Sequence, residues 1–467
     1  MHSDLITRGI APGDEGHARV SQLFEKGACL LAVLGFAAGC FAGQVAARVD
    51  IWVLRLLLLK PLVDLSWDWH FGEIFNQEVN LQTILALLGL FLTICFLFQS
   101  RAEFTRSGIL LAFLGWAFVA VLITPTSWGV NELLRLYSGA AFFFSAGAAL
   151  NSQDRFKGFA RYFLLILLIP VCLSFLQVAG ILSFSYWDWV DGQEVGRASG
   201  MYQTPLELVR FLVFGVPLAL WLRDRSVPAS GDRLLGTTFL LLSLPALFFT
   251  FHRAGWIVIG LEIVLWFAMT RKIRKTILIV AALLIFGSVF SDRVQTLYSP
   301  VTRIFQGEID LGSEEFLRGR GALWAIFLNS LFSSHPVVWF TGKGGSIAEA
   351  VVPGLADGIS NEPHNDFIRI LHAYGIVGII LYFGVLWSFF ATAHKLRQFV
   401  PGTFDHDVGT LLFIVLIAIV LLSITTEPMR YPTCVWYLFT LASVGYRKLR
   451  EAESAMGLGA ESITVPT

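Results

Sequence analysis

Residues 408–424 read VGTLLFIVLIAIVLLSI. No charge interrupts the run, and as a helix it is nearly long enough to cross a hydrocarbon core of about 30 Å. In lipid the backbone must satisfy its own N–H and C=O groups within the segment, which makes the run a helix. Runs of the same kind recur along most of the chain. Twelve spans are predicted, at 27–46, 81–99, 108–124, 133–150, 161–182, 205–222, 234–250, 254–270, 276–291, 365–390, 408–424 and 432–447. The composition agrees. The 467 residues are 55% hydrophobic and 15% charged, with mean hydropathy +0.68, whereas soluble chains average about 25% charged. The expected fold class is an all-α integral membrane protein of about 12 transmembrane helices, with one large, partly helical loop on the outer side.

Basic residues orient the bundle, because lysine and arginine collect in cytoplasmic loops. Such loops are marked by Arg101 and Arg106, by Arg155, Lys157 and Arg161, by Arg223, Arg225 and Arg233, by the run 271–275, and by Lys395 and Arg397. Both termini then face the cytoplasm. The predicted organisation is a cytoplasmic tail at 1–26, spans within 27–291, a large outer loop at 292–363, spans within 364–447, and a disordered cytoplasmic tail at 448–467. The stretch 50–66 is apolar but carries Arg55, Lys60 and Pro61. It is expected to lie in the interface as an amphipathic segment; if it spans instead, the N-terminus switches sides. No signal peptide is expected in the polar N-terminal residues.

Several functional classes find no support. The five cysteines, Cys29, Cys40, Cys95, Cys172 and Cys434, lie in or at the ends of apolar runs without ligand spacing, so no metal site or disulfide framework is expected. The formal net charge is +0, which by itself points to no partner, and no nucleic acid is expected to bind. Asp405-His406-Asp407 resembles a metal-binding Asp-x-Asp, but its predicted cytoplasmic place reads as a solvated turn. Glycines 342, 344 and 345 lack the spacing of a P-loop. Acidic residues in the outer loops form no convincing catalytic pair.

The outer side nevertheless carries many arginines and a single lysine beyond residue 81: Arg135, Arg197, Arg210, Arg253, Arg293, Arg303, Arg318, Arg320, Arg369 and Arg430, with Lys343. Guanidinium grips phosphate in a fixed bidentate fork. Snorkelling to headgroup phosphates is the plainer explanation for any one of them. Four clusters stand out: residues 196–205 (GRASGMYQTP), 251–256 (FHRAGW), 318–324 (RGRGALW, opening a predicted helix at 321–333), and 362–367 (EPHNDF).

In order and spacing these clusters resemble the O-antigen ligase and O-antigen polymerase superfamily. Its Arg-x-Ser-Gly-aromatic-x-x-Pro-like segment is matched by 197–205. Its Ser-Arg-Gly-like pair reads His252-Arg253-Ala254-Gly255 here, without the serine. Its Arg-x-x-x-Trp is matched by Arg320 to Trp324, its Gly-x-Gly by Gly342 to Gly344, and its His-Asn by His364-Asn365, with Gly375-Ile376-Val377-Gly378 following in the helix. The resemblance implies a multi-pass protein of the bacterial inner membrane with its active site toward the periplasm. It implies a glycan donor on undecaprenyl pyrophosphate, inverting transfer without metal or other cofactor, and an acceptor hydroxyl on lipid A–core (ligase) or on a growing glycan (polymerase). Carried over, His364 is the general base, and Arg197, Arg253 and Arg320 hold the pyrophosphate. His252, Arg318, Arg210, Tyr202 and Asn365 are secondary candidates.

Elementary chemistry fits these roles. A departing pyrophosphate carries negative charge, which fixed guanidiniums in a low-dielectric site stabilise. The attacking hydroxyl needs a base that is neutral near pH 7, and imidazole is such a base. A lipid transporter or flippase is the rival from another class. It predicts charges at mid-membrane and inverted repeats; Glu262 is the clearest mid-span charge, and no repeat is visible.

Overall fold

The structure is a computed structural model that describes residues 49–66, 70–74, 77–99, 107–125, 127–190, 193–270, 272, 274, 277, 320–344 and 362–455. The expected spans at 27–46 and 276–291, the tail at 1–26 and most of the large loop, with Arg318, lie outside the described residues. The helices are α1 (Val49–Val63), α2 (Leu81–Gln99), α3 (Gly108–Ile123), α4 (Ser127–Ala149), α5 (Gln153–Val178), α6 (Pro205–Arg225), α7 (Gly231–Phe249), α8 (Arg253–Met269), α9 (Arg320–Phe332), α10 (Pro336–Thr341), α11 (Asp366–Leu396), α12 (Phe404–Thr425) and α13 (Pro432–Ala455). Two antiparallel hairpins join them, β1 (His70–Ile74) with β2 (Gln77–Asn80) and β3 (Tyr186–Val190) with β4 (Gln193–Arg197). Among the described helices, α5, α6, α7, α11 and α12 are long and apolar enough to cross a membrane, against the twelve spans expected; α3 and part of α2 are shorter apolar helices. The protein is a multi-pass helical membrane protein.

Helix α6 is the centre of the bundle. Every residue from Leu208 to Leu222 is buried, and α5, α7, α8, α12 and α13 pack around it. A helix apolar all round can be stable only when surrounded. Ser152, Ser230 and Thr403 cap α5, α7 and α12 by accepting from the backbone N–H groups of Arg155, Arg233 and His406. Helices therefore start sharply at the end of the bundle where the basic loops were expected. Several of those loop residues prove helical: α5 begins at Gln153, so Arg155, Lys157 and Arg161 ride its first turns.

The segment 50–66 corrects the interfacial expectation. It forms α1, and Val53, Leu56, Leu57 and Lys60 are buried among α2, α4, α5 and α13. Arg155 pairs with Asp50 at one end (2.9 Å). At the other, Lys60 pairs with Asp64, Asp64 accepts from Thr433 (2.8 Å), and Tyr202 donates to the Pro61 carbonyl (3.2 Å). Its charges made it look interfacial; Lys60 enters the bundle paired with Asp64, while Arg55 on the other face stays exposed. The tail also differs, since α13 continues to Ala455 rather than ending near 447.

Helix α11 is broken at Gly375, which has φ +68. The break frees three carbonyls, and each finds a donor. Lys343 N–H donates to His372 (2.9 Å), Gly344 N–H to Ala373 (2.9 Å), and the Trp116 indole to Tyr374 (2.9 Å). In a membrane interior such pairing is obligatory. The Gly342–Gly344 turn is therefore the plug that closes the break, and it belongs to the scaffold rather than to chemistry.

Candidate active site

Four segments meet at the end of the bundle opposite Asp50. The first is the turn after β4. Ala198 N–H donates to the Phe249 carbonyl (3.0 Å), and the N–H groups of Ser199 and Gly200 both donate to the buried side chain of Gln177 (3.0 Å each). This turn sets Arg197, the last residue of β4, against the end of α7. Tyr202 goes the other way. It is fully buried, stacks on Phe211 with ring centres 5.2 Å apart and bonds to α1.

The second segment caps α8. His252 Nδ1 accepts from Gly255 N–H (3.0 Å), the work a serine side chain does at a helix start. Accepting at Nδ1 leaves the proton of the neutral ring on Nε2. Burial pushes the His252 pKa down to about 3, helped by the charges of Arg210, Arg197 and Arg320. Arg253 is the first residue of α8 and half-buried, but it is not among the groups that act most strongly on either histidine.

The third group is Arg210, from the second turn of α6. It is 2% exposed, and its guanidinium lies over the Tyr431 ring, 3.1 Å from the centroid. Its Nε and Nη1 have no hydrogen-bond partner among the described residues. A buried cation with open N–H groups is expensive unless an anion joins it.

The fourth segment holds His364, which has φ +49. The fixings around it explain how the chain stays there. Trp324 donates to the Pro363 carbonyl (2.7 Å). Asn365 caps α11 by accepting from Phe367 and Ile368 N–H (2.9 and 3.1 Å) and donates to the Ile424 carbonyl (3.1 Å). Arg430 pairs with Glu362. Arg320, opening α9, donates to the Thr425 carbonyl (2.8 Å). Asn365 thus caps α11 and braces it to the end of α12. Burial holds the His364 pKa below its ordinary value of 6.5, with Arg320 next in effect; Glu362 opposes, and Arg430 and Arg210 add to the lowering.

Beneath this loop lies a buried charge network. Arg369 binds Glu132 (2.6 Å) and Asp366 (3.0 Å). Asp366 also accepts from Ser423 and from Met429 N–H (2.9 Å each). Arg430 reaches Glu427 (3.4 Å) and Glu132 (4.0 Å). Burial raises the Glu427 pKa. Arg430 and Tyr431 were not predicted for the site. The visible signal was a charged, aromatic turn between two apolar runs, together with Arg430's place among the outer arginines. His372 lies elsewhere: its Nε2 is 3.4 Å from Ser330 Oγ, and Phe327 packs edge-on against it.

Arg210 and Arg320 therefore act on both His252 and His364, with Arg197 on the first side and Arg430 on the second. Neutral imidazoles ringed by guanidiniums can take up or give a proton beside a bound anion. Residues 238–383 match the family model described as O-antigen ligase. No curated protein matches the chain. The matched region contains His252, Arg253, Arg320 and His364, while Arg197, Arg210 and Arg430 come to the same place from outside it. The resemblance to the O-antigen ligase and polymerase superfamily, a class that carries out glycosyl transfer, is thus shown through this region.

Proposed function

We propose that the protein transfers a glycan from undecaprenyl pyrophosphate to an acceptor hydroxyl at the periplasmic face of a bacterial inner membrane, as an O-antigen ligase acting on lipid A–core. The observation that carries this reading is Arg210, a buried guanidinium with open N–H groups, converging with Arg197 and Arg320 on two neutral histidines. A diphosphate fills that need. His364 takes the proton of the acceptor hydroxyl, whose oxygen attacks the anomeric carbon from the face opposite the leaving group. The bond to pyrophosphate breaks, configuration inverts, and Arg197, Arg210 and Arg320 take up the negative charge that develops. Arg253 would hold the donor at the rim. His252 Nε2–H is a further donor to the diphosphate.

Replacing His364 by alanine is expected to lower transfer by about 10²–10⁴-fold, the range of a lost general base. Expression and membrane insertion should match the parent. The assay is transfer from purified lipid-linked donor; retained transfer would remove the base assignment. A polymerase is the same chemistry with the next repeat unit as acceptor. Supplying both acceptors to the purified protein decides between them by the product formed.

A further inference from the structure

At the opposite end of the bundle a cavity of about 180 Å³ opens between the end of α6 (Asp224, Arg225), the end of α8 (Trp266, Met269, Thr270), Lys272, the turn at Pro401 and Gly402, and His406 in the first turn of α12. Helix α6 has 21 residues, so about 30 Å separates this cavity from the site around His364. It holds the space of several waters.

The cavity wall holds two cations, Arg225 and Lys272, and one carboxylate, Asp224. Arg225 grips Asp407 through Nε and Nη2 (2.6 and 2.5 Å), and Trp221 donates to the same carboxylate (3.0 Å). Lys272 pairs with Asp224 (2.5 Å), which also accepts from Trp266 (2.9 Å) and Arg223 (3.3 Å). Arg397 lies close enough for its charge to act on His406. Arg223 and Arg397 stand behind the wall, over Phe267 and Phe413, and each carboxylate is already bound to a cation. A Cβ placed on Gly402 would come within 3.5 Å of Arg225 Nη1, and Gly402 has φ +98, so glycine keeps that wall bare. His406 is 7% exposed, and its Nδ1 has no hydrogen-bond partner among the described residues, lying 3.7 Å from Asp407 Oδ1. His406 lines the cavity, and a neutral imidazole ring can donate to an oxyanion. The start of α12 adds the positive end of its dipole.

We propose that this cavity binds the phosphate of an anionic lipid headgroup from the leaflet at that end. The rim favours a lipid over a free ion: Val400, next to Pro401, is 70% exposed and Val227, near Arg225, 73%, an apolar path for acyl chains. Basic pockets between membrane helices bind such headgroups. The proposal is independent of glycan transfer.

The test uses the full chain in nanodiscs of phosphatidylcholine, with or without phosphatidylglycerol, followed by thermal unfolding. Phosphatidylglycerol should raise the Tm by a few degrees, and the paired substitutions Lys272→Gln and His406→Leu should abolish that gain. Equal gains in parent and variant would overturn the site. A gain from inorganic phosphate in pure phosphatidylcholine discs, lost in the variant, would overturn the lipid as the source and leave a soluble phosphate in its place. Should the pair fail to fold, Lys272→Gln alone serves, because that side chain is half-buried. Phosphatidylglycerol retained on the protein is then counted by native mass spectrometry: fewer lipids on the variant support the site, equal numbers overturn it.

Discussion

His252 and His364 both stand at the approach to a helix, yet their surroundings give them different tasks. His252 spends Nδ1 on capping α8 and presents a donor. His364 is held by backbone fixings on either side, and its ring is left for chemistry. Because burial and Arg320 keep its pKa below 6.5, the ring is neutral and able to accept a proton at neutral pH. Activity should fall only as pH drops through that lowered value, so the acid limb of kcat/KM lies below pH 6.5. In Arg320→Gln the lost positive charge lets the pKa rise, and the limb should move to higher pH; an unmoved limb would separate Arg320 from His364. Arg210 makes the sharper demand. Arg210→Met keeps apolar volume over Tyr431 but removes the fork, and transfer should fall by about 10²–10³-fold, as when a preorganised donor is lost. Unfolding temperature provides the control, since losing a buried cation with open N–H groups should not destabilise the fold.

The elements show which motifs are scaffold. The Gly-x-Gly signal at 342–344 closes the break in α11, so its glycines serve close backbone approach. Alanine at Gly375 would be strained at φ +68 and would meet the Phe340 carbonyl. Gly375→Ala should destabilise by about 1–3 kcal/mol, measured by thermal unfolding in detergent; a silent substitution would mean that the break relaxes easily. The Ser199-Gly200 turn is likewise held by Gln177. A motif quoted from one dimension does not say which members face a ligand. The missing serine before Arg253 is a case in point: an imidazole does the capping here, and nothing in the spacing could say so.

At the scale of the whole molecule, the network through Glu132, Arg369, Asp366, Glu427 and Arg430 ties α4, α11, and the turn between α12 and α13 into one support beneath His364. Removing Arg369 would strand two buried carboxylates. Arg369→Met should destabilise by about 3–5 kcal/mol and should lower transfer together with stability; normal stability would mean that the network is not a structural support. The apolar runs, read with the basic loops, determined that this is a helical membrane protein, because hydrocarbon leaves the backbone no alternative to helix. They also placed His364, Arg197 and Arg320 among the candidates. Only the tertiary structure decided that one face of α1 packs into the bundle, that Arg210 is a buried and open cation, what Tyr202 and Asn365 bond to, and that Arg430 comes to the same end. Each of those depends on which partner a charge or hydroxyl meets across tens or hundreds of residues of chain. Burial and pairing are properties of neighbours in space, and a linear pattern of polar and apolar residues does not contain them.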